Sequence, residues 1–228
     1  MTRFCRFELR TRDVEAARAF YTAVLGAGSR DITPLPEQAA ARGAPPHWLG
    51  YIGVDDVERT ASAFVERGAS RLGPTRPAAD GGEVAILRDP GGAVLALSTR
   101  SSDGGCDDVV WHVLNTSDVE RALANYGELF GWHLTGRLDL GSVGVYHEFA
   151  WRPGRASVGA MVDVAGRPGV HPHWLFHSGV AALEPALVEV RAGGGAAIGP
   201  IVLPGGERIA VCDDPQGAAF ALLERPPR

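Results

Sequence analysis

The strongest constraint on the fold of this chain is an internal repeat. The stretch LRTRDVEAARAFYTAVLGAG, beginning at Leu9, recurs as LNTSDVERALANYGELFGWH, beginning at Leu114. Two shorter blocks recur later in the same order, His47-Trp48-Leu49 as His173-Trp174-Leu175 and Asp89-Pro90 as Asp214-Pro215. Three collinear blocks indicate two tandem copies of one structural unit. We predict a first module over 1–100, a polar, Gly-rich linker over 101–106 and a second module over 107–228.

The two copies differ in length at one place. Matching residues are 105 positions apart in the first block but 126 apart in the second, so the second module carries 21 additional residues between them. Its segment 132–162 has alternating apolar runs that predict two or three strands. The corresponding segment 27–46 of the first module has room for one short strand and a loop. We therefore predict that the first module lacks a hairpin.

Hydrophobic periodicity predicts four helices, over 13–25, 57–67, 118–130 and 182–192, because apolar residues recur there at helical spacing. Asp13 and Asp118 suit the N-cap position, and Gly26 and Gly131 suit the C-cap. Short strands are predicted near 3–10, 47–54, 69–73, 83–88, 93–99, 108–115, 132–138, 143–151, 156–164, 172–179, 196–202, 207–212 and 218–224. The pattern predicts an α+β fold.

Composition excludes several classes of partner. The net charge is -5 and no basic run is present, which argues against nucleic acid. No stretch reaches membrane-spanning length and no signal peptide is evident, so we expect a cytoplasmic protein. Cys5, Cys106 and Cys212 form no CxxC pair and are expected to be small buried residues. The expected partner is a small molecule, and the protein is expected to be a monomer or a homodimer.

The repeated residues carry a family resemblance. The pattern L-x-T-x-D-V-E-x-A-x-x-x-Y-x-x-x-x-G, followed by H-W-L-x-x-x-G-V and D-P-x-G-A, resembles the glyoxalase/bleomycin-resistance/extradiol-dioxygenase superfamily, also called vicinal oxygen chelate proteins. The likeness is greatest to its branch with two modules in one chain. It implies tandem βαβββ modules whose curled sheets form concave clefts.

The resemblance also implies where a metal ion would bind. Metal-dependent members place His, Gln or Glu on the first strand, on the strand before the second helix and on the final strand. These positions correspond here to Arg6 and Trp111, to Leu49 and Leu175, and to Ala96 and Ala221. None of these side chains is an ordinary ligand of a divalent cation. We therefore predict no metal site and no cofactor.

Six residues are candidates for ligand binding: Arg6, Glu8, Tyr51, Trp111, Tyr146 and His177. Arg6 and Glu8 share one face of the first strand, where they form either a buried ion pair or a polar contact to a ligand. Trp111 either stacks on a flat ligand or fills the interior. His177 replaces Tyr51 of the first module and either lines a pocket or packs. The sequence assigns no catalytic residue.

The other histidines have structural interpretations. His47 and His173 recur at the same point of both modules, which indicates packing or hydrogen bonding at the entry to a strand. His147 and Glu148 are adjacent on a predicted strand, so their side chains point to opposite faces and cannot share one ion.

Three functional interpretations remain open. The leading one is a protein that holds a small, aromatic or polycyclic molecule without a metal ion, with sequestration and resistance as its use. The second is a metal-independent isomerase, lyase or cyclase that uses Arg6, Glu8, Tyr51 or His177. The third is a metal-dependent glyoxalase or dioxygenase with unusual ligands.

Overall fold

The computed structural model describes residues 2–28, 30–78, 81–99 and 108–224. Its helices are α1 (Val14–Leu25), α2 (Glu37–Ala41), α3 (Val57–Glu66), α4 (Val119–Phe130) and α5 (Leu183–Ala192). The strands of the first repeat are β1 (Phe4–Thr11), β2 (Asp31–Pro34), β3 (His47–Gly53), β4 (Ser70–Arg71), β5 (Arg76–Pro77), β6 (Glu83–Arg88) and β7 (Val94–Ser98). Those of the second are β8 (Val109–Thr116), β9 (His133–Asp139), β10 (Val145–Ala150), β11 (Gly159–Asp163), β12 (His173–Val180), β13 (Ala196–Val202), β14 (Arg208–Asp213) and β15 (Ala219–Glu224). The predicted linker 101–106 lies outside the described residues.

The strands form two sheets, one for each repeat, which confirms the predicted α+β fold. The first sheet has the order β2-β1-β3-β7-β6-β4, with β5 also paired to β6. The second has the order β13-β14-β15-β12-β8-β11-β10-β9. In the first sheet, β6 pairs antiparallel with both β4 and β7. In the second sheet, β14 pairs antiparallel with both β13 and β15, so each repeat ends in a small antiparallel group of strands.

The missing hairpin of the first repeat is confirmed by strand pairing. Strand β2 runs parallel to β1, just as β11 runs parallel to β8. Strand β2 therefore takes the place of β11. The antiparallel pair β9–β10 has no counterpart among the described residues of 27–46, where the one-turn helix α2 is found instead.

The four predicted helices, α1, α3, α4 and α5, begin within one residue of their predicted starts, whereas the short helix α2 was not predicted. The side chains of Asp13, Asp56 and Asp118 accept backbone N–H groups in the first turns of α1, α3 and α4. Helix α5 begins after Ala182, which offers no side-chain cap, and the N–H of Leu183 instead donates to the carboxylate of Glu224.

Two compact units share the described chain, and each is assembled from both repeats. Among the described residues, the first unit comprises 2–6, 50–78, 81–99 and 112–174, and the second comprises 7–28, 30–49, 108–111 and 175–224. Helices α3 and α4 pack together in the first unit, and α1 and α5 in the second. The four strands β1, β3, β8 and β12 each cross a boundary between the units. The predicted modules are thus the two copies of the sequence repeat. The compact units are different, because each unit combines segments of both copies.

Each unit has its own apolar core. The core of the second unit contains Phe20 and Tyr21 of α1, Leu187 and Val190 of α5, and Phe220 of β15. The first unit has an aromatic cluster, in which the Trp132 ring stacks on Phe149 at 4.8 Å and packs near Tyr126 at 5.0 Å. Such clusters bury large apolar areas and account for much of the stabilisation of a small unit.

The repeated Tyr, Trp and Asp residues build the same buried hydrogen-bond chain twice. In the second unit, Trp48 Nε1 donates to the Tyr21 hydroxyl at 2.9 Å, and this hydroxyl donates to Asp214 at 3.2 Å. In the first unit, the corresponding donor–acceptor distances are 3.3 Å from Trp174 to Tyr126 and 3.0 Å from Tyr126 to Asp89. In each of these two sets of hydrogen bonds, the tyrosine and the tryptophan come from one repeat and the aspartate comes from the other.

The remaining structural predictions concern turns, cysteines and membranes. Asp89 and Asp214 also accept the N–H groups of Ala93 and Ala218, and so stabilise the turns that begin with Asp89-Pro90 and Asp214-Pro215. Cys5 and Cys212 are buried, as predicted, whereas Cys106 lies outside the described residues. In the described part of the chain, no helix has the length and apolar character needed to cross a membrane.

Candidate functional site

One face of the sheet in the second unit is turned away from the helices. Ala210 and Cys212 of β14 and Phe220 and Leu222 of β15 pack into the helix-covered core. Side chains alternate along a strand, so their neighbours point to the opposite face. The opposite face is therefore formed by the intervening residues Ile209, Val211, Ala221 and Leu223.

Strand register aligns four side chains of this face into one row. His177 of β12 lies beside Ala221 of β15, Ala221 beside Val211 of β14, and Val211 beside Ile198 of β13. Exposure to solvent increases along the row toward the sheet edge. His177 and Ala221 are buried, Val211 is half-buried and Ile198 is 73% exposed. At the strand spacing of about 4.8 Å, four strands span roughly 14 Å. The predicted residue His177 thus stands at the closed end of an apolar row.

The first unit has the equivalent row in the first repeat. Tyr51 of β3 lies beside Ala96 of β7, and Ala96 lies beside Ile86 of β6. The Cζ atom of Arg6 lies 4.6 Å from the centroid of the Tyr51 ring, a cation–π contact. Arg6 is half-buried and Tyr51 is buried. The structure therefore brings together two predicted residues, Arg6 and Tyr51.

Glu8 lies among polar partners in the second unit. Its carboxylate accepts the Thr33 hydroxyl at 2.7 Å and the Arg10 guanidinium at 3.4 Å, and both Glu8 and Arg10 are buried. Nearby, burial lowers the pKa of His47, with Arg10 acting in the same direction. Arg10 is a candidate that the sequence argument missed, although its spacing from Arg6 and Glu8 places it on the same strand face.

Two further candidates are half-buried. Trp111 lies on β8 in the second unit. Tyr146 lies on β10 in the first unit, beside Val162 and Leu138 in a row of its own.

The histidines at the strand entries bond as predicted. The Nδ1 atom of His47 lies 2.8 Å from the carbonyl oxygen of Pro45, and that of His173 lies 2.7 Å from the carbonyl oxygen of His171. These repeated contacts are structural.

The second unit contains a cavity of about 10 Å³, which is space for about one water molecule. It is bordered by Tyr21, Trp48 and Phe220, which belong to the helix-packed side, and by Arg30 and Ser178. An organic molecule does not fit there.

Comparison with known proteins gives the family of the chain. The family model described as Glyoxalase/Bleomycin resistance protein/Dioxygenase superfamily matches residues 109–222. A Mycobacterium tuberculosis (strain CDC 1551 / Oshkosh) protein named "Putative glyoxylase CFP32" is 30% identical over 251 residues, which cover 97% of this chain and 94% of that protein. The chain belongs to the glyoxalase/bleomycin resistance protein/dioxygenase superfamily.

Other superfamily members are similar in sequence or in fold. The "Anthracycline biosynthesis protein DnrV" of Streptomyces peucetius is 27% identical over 192 residues, covering 80% of this chain and 67% of that protein. The 2,3-dioxygenase LapB from Pseudomonas sp. KL28 has a TM-score of 0.66 at 13% identity, covering 99% of this chain and 92% of that one. The Mn(II)-bound glyoxalase from Novosphingobium aromaticivorans has a TM-score of 0.60 at 12% identity, covering 98% and 83%. These two structures establish the shared fold.

The side chains at the superfamily's metal positions do not fit a divalent ion. Leu49, Ala96 and Ala221 are fully buried and carry no donor atom, and the Arg6 guanidinium is a cation. Within residues 2–28, 30–78, 81–99 and 108–224, no three His, Cys, Asp or Glu side chains are grouped so that they could hold a metal ion. Divalent cations need several oxygen, nitrogen or thiolate donors around one point.

Proposed function

We propose that this superfamily member binds a small, flat, aromatic molecule on a helix-free sheet face, without the metal ion used by metal-dependent members. The observation that carries the proposal is the row His177–Ala221–Val211–Ile198. An apolar surface with one polar group at its end suits an organic ring system, because burial of apolar area supplies affinity and the polar group supplies orientation. Sequestration of such a molecule is the biological role that we propose.

The apolar character of the row supports an aromatic ligand. Such a ligand would lie against the accessible end of the row at Val211 and Ile198, since His177 and Ala221 are buried. The relative named as an anthracycline biosynthesis protein points in the same direction, since anthracyclines are fused-ring aromatic compounds. The relatives named as putative glyoxylases support the enzymatic alternative.

A charge placed on the row tests the proposed site. The purified protein is titrated with an anthracycline, and the quenching of ligand fluorescence gives the Kd. Ile198→Asp should raise this Kd about tenfold, because a carboxylate replaces an apolar contact. The matched control is Val188→Asp on α5, which changes another exposed apolar residue, 60% exposed, and should leave the Kd unchanged. Equal effects of both substitutions would refute the site.

The same samples separate sequestration from catalysis and from metal dependence. Ligand recovered unchanged by chromatography after incubation supports sequestration. Conversion that is abolished in Glu8→Gln or His177→Ala supports a metal-independent enzyme instead. Elemental analysis of protein purified without chelator tests the metal, and a stoichiometric transition metal would contradict the proposal.

A further inference from the structure

We infer that the Nε2 atom of His47 accepts a hydrogen bond from a hydroxyl group of the bound molecule, so that the second unit selects aromatic molecules that carry a phenolic hydroxyl. The inference rests on the proposed function, because it names a substituent of the flat aromatic ligand. Its starting observation is a difference between the repeats. Asn115 contacts Nε2 of His173, whereas Arg10 stands in the place of Asn115 near His47.

The tautomer of His47 follows from its hydrogen bond to the backbone. Its Nδ1 atom lies 2.8 Å from the carbonyl oxygen of Pro45, which can only accept, so Nδ1 carries the hydrogen. Burial lowers the pKa of His47, and the nearby Arg10 acts in the same direction, so the ring is neutral at pH 7. In a neutral imidazole with its hydrogen on Nδ1, the Nε2 atom carries a lone pair and is an acceptor.

The second repeat uses the equivalent acceptor within the protein. The side-chain amide nitrogen of Asn115 lies 3.4 Å from Nε2 of His173. In the first repeat the residue at the place of Asn115 is Arg10, whose guanidinium donates to Glu8 at 3.4 Å. Among the described residues, no side chain replaces Asn115 as a donor to His47, whose hydrogen bond is the one to Pro45. The exchange of Asn for Arg therefore leaves an acceptor for a ligand in the first repeat alone.

His47 stands on the helix-free face of its strand. Its neighbour Trp48 packs against the helix-covered core, and side chains alternate along β3, so His47 points to the opposite face. Glu8 and Arg10 share this face, because Leu9 between them packs into the same core. The Nε2 atom of His47 is not among the buried nitrogen atoms without a partner in the described part of the chain, so it is accessible from outside.

The chemistry of this atom determines which ligand group suits it. A lone pair in a partly buried place needs a donor, and an ether or carbonyl oxygen has none to offer. Arg10 is close enough to lower the pKa of His47 and so opposes a second cation, such as an ammonium group. A phenolic hydroxyl is neutral, lies in the plane of its ring and donates. It therefore fits both the acceptor and the proposed flat ligand.

The test compares two probes of similar shape. 2-Naphthol carries a hydroxyl that is neutral at pH 7, and 2-methoxynaphthalene replaces it by an ether without a donor. Binding to the full-length protein is measured by equilibrium dialysis, with the free probe quantified by chromatography. Burial of apolar area by itself favours the ether. We nevertheless expect naphthol to bind about fivefold more tightly, as one hydrogen bond supplies.

Variants assign this preference to one nitrogen atom. In His47→Asn the side-chain amide takes the place of Nδ1 and can still donate to Pro45, but Nε2 is gone, so the preference should disappear. In His47→Gln the amide oxygen reaches the place of Nε2, so part of the preference should remain. The matched control is His173→Asn, the same change at the equivalent point of the second repeat, which should preserve it. Circular dichroism establishes that each variant is folded.

Each outcome has one meaning. A preference for naphthol that His47→Asn removes, and that His47→Gln and His173→Asn keep, supports the inference. Equal binding of both probes to the wild type overturns it and leaves the proposed function standing. So does a preference that survives His47→Asn, or one that His47→Gln or His173→Asn also removes. Binding of neither probe refutes both the inference and the proposed binding of flat aromatic molecules.

Discussion

The hydroxyl groups of Tyr21 and Tyr126 each lie between an indole N–H and a carboxylate in a buried environment. Burial raises the pKa of both hydroxyls, and the aspartate beside each acts in the same direction, so both stay protonated and donate. A buried carboxylate that loses such a donor is strongly penalised. These two residues explain why Tyr, Trp and Asp recur together in the sequence.

Removing one hydroxyl should therefore weaken the fold. Tyr126→Phe leaves Asp89 and Trp174 without this hydrogen-bond partner and should lower the free energy of unfolding by about 1–3 kcal/mol. Urea unfolding followed by circular dichroism measures the change. Tyr146→Phe, at a half-buried position on β10, is the control and should change stability by less than about 0.5 kcal/mol. Comparable losses in the two variants would contradict the role assigned to the chain.

His112 predicts a pH dependence of stability. It is buried against Phe4, its Nδ1 lies 2.8 Å from the Val158 carbonyl oxygen, and burial lowers its pKa to about 4. A lowered histidine pKa means that the unfolded chain binds the proton more readily. The stability contributed by the neutral ring is therefore complete above pH 6.5 and is lost as the pH falls from 6.5 toward 4.

The size of this effect can be measured by difference. His112→Gln keeps a hydrogen-bond donor but does not titrate, so between pH 7 and pH 5 the wild type should lose roughly 2 kcal/mol more than the variant. Burial raises the pKa of Asp89, so the contribution of this residue to stability increases as the pH falls, opposite to that of His112. The Asp89 contribution is the same in the wild type and the variant, so it cancels when the two pH profiles are subtracted. Identical pH profiles from urea unfolding would show that the buried imidazole is not the titrating group.

Helix α5 is the long helix that begins without a side-chain N-cap. Helices α1, α3 and α4 begin after an aspartate whose side chain caps the first turn, whereas α5 begins after Ala182. Glu224 already accepts the N–H of Leu183, so a second carboxylate at 182 would be repelled. A hydroxyl would add a cap without adding charge.

Ala182→Ser should consequently raise the free energy of unfolding by about 0.5–1 kcal/mol. The reciprocal substitution Asp118→Ala, which removes the cap of α4, should lower it by about 1 kcal/mol. Both changes appear as shifts of the midpoint in urea. A destabilised Ala182→Ser protein would mean that the Glu224 contact already satisfies this helix end.

For the whole molecule, the strands β1, β3, β8 and β12 each contribute residues to both compact units. Unfolding of either unit would therefore disrupt strands that also form part of the other unit. Unfolding in urea should therefore be a single transition, with coincident curves from tryptophan fluorescence and far-ultraviolet circular dichroism. Two separated transitions would show that the units unfold independently.

The sequence by itself determined the repeat, the four long helices and the missing hairpin. These depend on local patterns, because Asp13 and Asp118 cap the turn that follows them and the spacing between repeated blocks counts residues directly. The hydrogen bonds of His47 and His173 were also predictable, since each closes with a carbonyl two positions earlier.

Only the tertiary structure decided which residues meet. The neighbours of His177 in its row, Val211 and Ile198, depend on the register of strands far apart in the sequence, which no local pattern contains. For the same reason the sequence showed that Tyr126 and Asp89 recur, but not that they bond to each other across the two repeats. Long-range pairing is fixed by the packing of the complete chain, whereas helix ends and turns are fixed by neighbouring residues.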